Sequence, residues 1–138
     1  IRTTVRPSSE AVFAGEGRIE VPRASDGHYY VTLEINTVPV RFVVDTGASG
    51  MVLTRQDAAR AGIEESDMGF HSRAMTANGP VATAPVRLDS VALGPLLDRG
   101  LRAYVNDGEM TNSLLGMSYL QRFDRVEISG GRMILQRD

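Results

Sequence analysis

Cysteine is absent from the 138 residues, which excludes disulfides and thiolate metal sites. Histidine is scarce. His28 and His71 are the only two, too few and too scattered for a histidine-based metal site. No run approaches the ~18 consecutive apolar residues of a membrane-spanning helix. Neither sign of charge dominates: 15 Lys and Arg against 17 Asp and Glu give a formal net charge of −2. A general affinity for nucleic acid or anionic lipid is therefore not expected. Nothing in the composition calls for a cofactor.

What is present is ordinary for a globular chain. Apolar residues make up 42% and charged residues 23%, and the length suits one domain with a real core. The first 17 residues are polar and broken by Pro7, Ser8, Ser9, Gly15 and Gly17. They read as an extension or tether, with Val12 and Phe13 able to pin it to the surface, and residues 18–138 read as the domain. The sequence starts at Ile1 without a methionine. The expectation is a piece of a longer protein whose upstream part carries any signal or anchor.

Strand signals dominate from Gly17 onward. Tyr29, Val31, Leu33 and Ile35 alternate with Tyr30, Thr32, Glu34 and Asn36, the period of two that marks a half-buried strand. Asn36-Thr37 reads as a tight turn and residues 40–44 as the return strand. "TRQDAARAG" predicts a short helix. Thr54 is its N-cap, Asp57 its third residue and Gly62 its stop. Asn78-Gly79 predicts a hairpin tip between arms at 70–77 and 81–88. "LRAYV" reads as a further strand. "SLLGMSYLQRF" breaks at Gly116 and then shows helical spacing through Met117, Leu120 and Phe123. "DRVEISGGRMILQ" closes the chain as a hairpin over Gly130-Gly131. The sum is a mostly β chain with two short helices.

One position resists a purely structural reading. In "FVVDTGASG" a buried-looking strand, Phe42 to Val44, ends in Asp45. A carboxylate there is costly unless it is paired or hydrogen-bonded. Gly47 can bring its amide close to that carboxylate, and the Thr46 hydroxyl can donate and accept. Ala48 and Ser49 keep the turn small. Asp45 can equally be a turn cap acting through its own side chain, and the tripeptide alone does not choose.

The surrounding order does. A hairpin leads into "VVDTGASGMVLT", a helix follows, then "TANG", then "SLLGMSYL". This resembles the retropepsin-like aspartic proteases, and most of all their bacterial single-domain members, over roughly residues 19–135. The resemblance implies a single-lobe, closed β-barrel acid-protease fold with two short helices and a flap hairpin. It implies Asp45 as the catalytic aspartate. Thr46 is implied to lock two active-site loops across a dimer axis, and Gly47 to contact the carboxylate. Ala48 stands in the retroviral style, where pepsin-type enzymes commonly carry serine. Gly116, after Leu114 and Leu115, matches the bracing glycine. Ala77, Asn78 and Gly79 match the flap over the substrate, where the plain alternative is a surface hairpin.

One aspartate is not enough for this chemistry, which needs one carboxylate as base and another as acid. Asp26-Gly27 and Asp107-Gly108 lack the intervening Thr or Ser, and 138 residues leave little room for a second lobe. The inference is a homodimer acting on polypeptide substrates, each chain giving one Asp45. Met133, Ile134 and Leu135 are candidates for its interface strand. The competing reading is an inactive interaction domain that kept the fold. A metal-dependent hydrolase is poorer, for want of clustered ligands. The bacterial resemblance also implies a place in the periplasm or cell envelope, with contact to the membrane only through an upstream anchor.

Overall fold

Alternation in the sequence becomes alternation in burial. A computed structural model of the chain describes residues 11–64, 72–76, 79–106, 108 and 110–138. Strand β1 is Val12–Phe13 and β2 is Arg18–Pro22; β3, Tyr30–Ile35, buries Val31, Leu33 and Ile35 and exposes Thr32 and Glu34. The turn that follows has φ of 51° at Asn36 and 71° at Thr37, both left-handed, as a two-residue hairpin of type I′ requires. It returns the chain as β4, Val38–Val44, antiparallel to β3 from Val38 opposite Ile35 to Val43 opposite Tyr30.

Strand β5, Met51–Leu53, follows the Asp45 turn, and helix α1, Arg55–Arg60, follows β5. The Thr54 hydroxyl accepts the Asp57 amide at 3.0 Å, so the expected N-cap is in place. Gly62 lies just past the helix with φ of 82°, a left-handed stop that glycine adopts without strain. Strand β6 is Ser72–Thr76, β7 Gly79–Leu93, β8 Leu96–Asn106 and β9 Ser113–Leu115. Helix α2, Met117–Leu120, is shorter than the apolar spacing suggests. Beyond Leu120 the amides of Arg122 and Phe123 reach back three residues, to Tyr119 and Leu120. The last turn is therefore tightened, and Phe123 is still buried. Strands β10, Arg125–Ser129, and β11, Arg132–Gln136, form the expected closing hairpin, with φ of 61° and 76° at Gly130 and Gly131.

Six strands close into a barrel in the order β3-β4-β9-β5-β8-β7 and back to β3. Closure comes from Glu34 and Ile35 pairing with Ala92 and Val91. The long β7 does several jobs: it pairs with β6 at its start, β8 along its length and β3 near its end. Its residues 79–82 have register partners only on β6, so the β6–β7 arm extends past the last β7–β8 pair, Thr83 opposite Asn106. Thr76 pairs with Gly79. Gly79 is therefore a paired strand residue. Ala77 and Asn78 lie outside the described residues, whereas Gly79 starts β7.

A second sheet, ordered β1-β2-β11-β10, packs on the barrel. Ile19, Val21, Met133 and Leu135 join Leu33, Phe42, Met51, Leu53 and Leu115 in one buried cluster. Each such fully buried large side chain is worth roughly 1.5–3 kcal/mol. Of the segment read as an extension, residues 1–10 lie outside the described residues, while Val12 and Phe13 pair with Glu20 and Ile19. Strand β11 is paired on both edges, and Met133 and Leu135 face the core. A partner strand therefore has no free edge at 133–135.

Candidate active site

The strand that ends in an acid is held there by its neighbour. Strand β4 runs parallel to β9, with Val43 opposite Leu114 and Val44 opposite Leu115. Phe42 is fully buried, and Asp45 is only partly covered. The Asp45 amide donates to the Leu115 carbonyl at 3.0 Å, and the Asp45 carbonyl accepts the Ala48 amide at 3.0 Å. The Gly47 amide donates to Asp45 Oδ1 at 2.9 Å. Among the described residues Oδ2 has no such partner. The acid is therefore fixed at one oxygen and left available at the other.

The loop is braced from below by the start of α2. Met117 N–H donates to the Ala48 carbonyl at 3.0 Å, and Ser118 N–H donates to the Ser49 carbonyl at 3.0 Å. Gly116 lies against the same loop. A Cβ at Gly116 would collide with the Gly50 carbonyl oxygen and sit 2.6 Å from that of Ala48. Its φ of −97° is open to any residue, so glycine is required for close approach and not for backbone freedom. Ala48 points inward and is buried, while Thr46 and Gly47 are exposed beside Asp45.

Behind this lies a buried polar knot. Ser113 at the start of β9 donates to Asp57 Oδ2 at 2.6 Å and accepts the Thr54 amide at 3.1 Å. It ties α1 to the strand that holds Asp45. The two other Asp-Gly pairs do not join the site. Asp26 caps its own turn: the Tyr30 hydroxyl and then the His28 amide hold its carboxyl below the ordinary range. Asp107 lies outside the described residues. Among the described residues no three His, Cys, Asp or Glu side chains are grouped to hold a metal ion.

Asp45, Thr46, Gly47, Ala48 and Gly116 are thus brought together, and Gly79 belongs to the β6–β7 arm. An apolar hollow beside Thr46, lined by Met117, Leu120, Gln121, Phe123 and Val126, has no counterpart in the sequence reading. Nor does the Ser113 knot. Thr46 is distant in sequence from Met117 and Val126, and only the fold makes them neighbours.

Comparison with known proteins follows the same outline. The family model described as "gag-polyprotein putative aspartyl protease" matches residues 31–122. An uncharacterized protein of Rickettsia prowazekii (strain Madrid E) is 38% identical over 119 residues, 86% of this chain and 51% of its own length. The chain spans about half the length of the curated relatives it matches. The crystal structure of a retropepsin-like aspartic protease from Rickettsia conorii superposes with a TM-score of 0.75 at 36% identity, covering 88% of this chain and 90% of that one. EIAV protease complexed with the inhibitor HBY-793 shares the fold, with a TM-score of 0.57 at 22% identity over 70% of this chain and 88% of that one.

Proposed function

The chain belongs to the retropepsin-like aspartyl protease family, and from that premise we propose that it is a homodimeric aspartic endopeptidase whose dyad is two copies of Asp45. The observation that carries the reading is the presentation of Asp45. A single carboxylate stands at the end of β4 on a braced loop, with one oxygen held by the Gly47 amide and the exposed Thr46 beside it. One such group serves as acid or as base, not both at once. A second copy supplies the other role.

The chemistry follows from two facing carboxylates sharing one proton. The ionised one takes a proton from a water held between them. The oxygen of that water bonds to the carbonyl carbon of the substrate, and the protonated one gives its proton to the carbonyl oxygen. The tetrahedral diol then collapses: one hydroxyl gives its proton to the carboxylate that is now ionised, the C–N bond breaks, and the amine leaves with the proton of the other carboxyl, which restores the singly protonated pair. Thr46, exposed beside Asp45, would make a cross-chain hydrogen bond that locks the two loops. The β6–β7 arm is the proposed flap over the substrate; Gly79 begins its second strand, and Ala77 and Asn78 are assigned to the flap by the family resemblance. A place in the periplasm or cell envelope, on an upstream anchor, belongs to the same proposal. Fractionation of the full-length protein tests it, and recovery with cytosolic markers overturns it.

Asp45→Asn keeps the shape of the site and removes its ionisable group. We expect a folded protein, by circular dichroism, that no longer cleaves a casein-like substrate. A folded Asp45→Asn protein that cuts at the wild-type rate would falsify the protease reading in favour of the interaction-domain reading.

A further inference from the structure

We propose that the second copy docks edge to edge on β10, antiparallel, with Val126 on the twofold axis and Arg125 of each chain facing the partner's Glu127. This rests on the dimeric reading above and specifies its interface. The second sheet has two edges. One is β1, only two residues long; the other is β10, whose outer side is unpaired among the described residues. All five residues of β10 are exposed, and Val126 and Ile128 are among the large apolar side chains left in solvent, at 43% and 59%. A regular strand edge of this kind readily accepts another strand. Val126 also lines the apolar hollow beside Thr46, so the same surface reaches the Asp45 loop.

The register follows from the hairpin. Its loop is the two glycines Gly130-Gly131, so the closing pair Ser129 and Arg132 is hydrogen-bonded. Counting back, Ser129, Glu127 and Arg125 spend their backbone groups on β11, and Val126 and Ile128 point theirs outward. A symmetric antiparallel partner must match outward residues with outward residues, so the axis passes through a residue of β10; at Arg125 it would set two arginines opposite each other and at Ser129 it would run into the turn, which leaves Val126, Glu127 and Ile128. Centring on Glu127 sets two glutamates directly opposite each other, which is destabilising. Centring on Ile128 runs the ladder into the glycine turn and leaves Arg125 without a facing acid. Centring on Val126 sets Val126 against its own copy and gives two reciprocal Arg125–Glu127 pairs. These fall at the non-hydrogen-bonded positions, where facing side chains come closest. Arg125 and Glu127 already lie 4.0 Å apart within one strand. The four charges at the axis then alternate in sign. Of the three registers, this one also puts the hollow beside Thr46 on the axis.

Charge reversal tests the register. Arg125→Glu and Glu127→Arg are each expected to weaken the homodimer about tenfold or more, since two facing pairs turn repulsive. Both positions are exposed, and circular dichroism checks the fold. The decisive arm mixes the two single variants. Every facing pair in the mixed dimer is then opposite in charge, so heterodimers should form with near wild-type affinity in sedimentation equilibrium and recover cleavage. The contact within each strand is unchanged by mixing, so recovery reports only on contact between chains. If the wild type dimerises but the variants do too, equally well and without preference on mixing, the interface lies elsewhere and this proposal fails while the dimeric reading stands. If the wild type cleaves substrate as a monomer, both fail.

Discussion

Thr37 sits at φ of 71°, a β-branched residue in a backbone region where L side chains are strained. The type I′ turn asks for glycine there, and the Thr37 side chain is exposed. Thr37→Gly should stabilise the domain by about 1 kcal/mol, net of the added unfolded-state entropy. A thermal melt reads this as a higher Tm; a lower one would contradict the strain argument. Tyr119 presents a different case. It is fully buried in the core, edge-on to the Phe123 ring, and its hydroxyl makes no hydrogen bond of good geometry among the described residues, with Arg137 the nearby donor. Burial pushes its phenol up to about 12, while an unfolded tyrosine ionises near ~10. Folding is therefore favoured in full below the unfolded value. That contribution, of order 2–3 kcal/mol, is lost as pH rises through the window between the two values. Tyr119→Phe should leave stability at neutral pH equal or higher and flatten the alkaline decline. Denaturant unfolding across that window checks both, and an unchanged alkaline slope would show that another group is responsible.

At the scale of elements, the Asp45 loop depends on how closely β9 and α2 approach it. Gly116→Ala places a methyl group against the carbonyls of Ala48 and Gly50. Backbone must move, at a cost of about 1–3 kcal/mol. A shift of the loop by a fraction of an ångström should lower kcat by roughly a hundredfold. A Gly116→Ala protein with unchanged Tm and kcat would mean the loop is not braced there. The sequence made much of this legible, because caps and turns are local chemistry. Thr54 and Gly62 bracket α1, and the glycines at 130 and 131 turn the last hairpin. The acid after Val44 also stood out, because a carboxylate at the end of an apolar run is a local anomaly. Pairings between distant segments were not legible. Strand β5 is three residues long and exists through its ladders with β8 and β9. In the sequence the Asp45 turn runs straight into the helix signal, with nothing to mark a strand between them. Ser113 carries no sign of its bond to Asp57, 56 residues away. Nor do residues 133–135 show that β2 covers their second edge. An apolar strand near a chain end looks the same whether its own chain or a partner pairs with it.

For the molecule as a whole, on the dimeric reading proposed above, the single Asp-Thr-Gly of this chain would govern both the assembly and the pH response. The proposed mechanism then needs one carboxylate of the pair as base and the other as acid at the same time. The rate should fall on the acid side, where both are protonated and no base remains. It should fall on the alkaline side, where both are charged and no acid remains. A bell-shaped profile with a persistent dimer is the expected result, and a rate that climbs steadily into alkaline pH would contradict it. The most direct test of the central claim mixes wild-type chains with Asp45→Asn chains and follows cleavage at fixed total concentration, above the dissociation range and after exchange. If each active site needs an Asp45 from both chains, only wild-type pairs work. An equal mixture should then retain about one quarter of the wild-type activity, because random pairing follows the square of the wild-type fraction. Activity that falls only to about one half, as simple dilution would give, would show that each chain carries its own complete site.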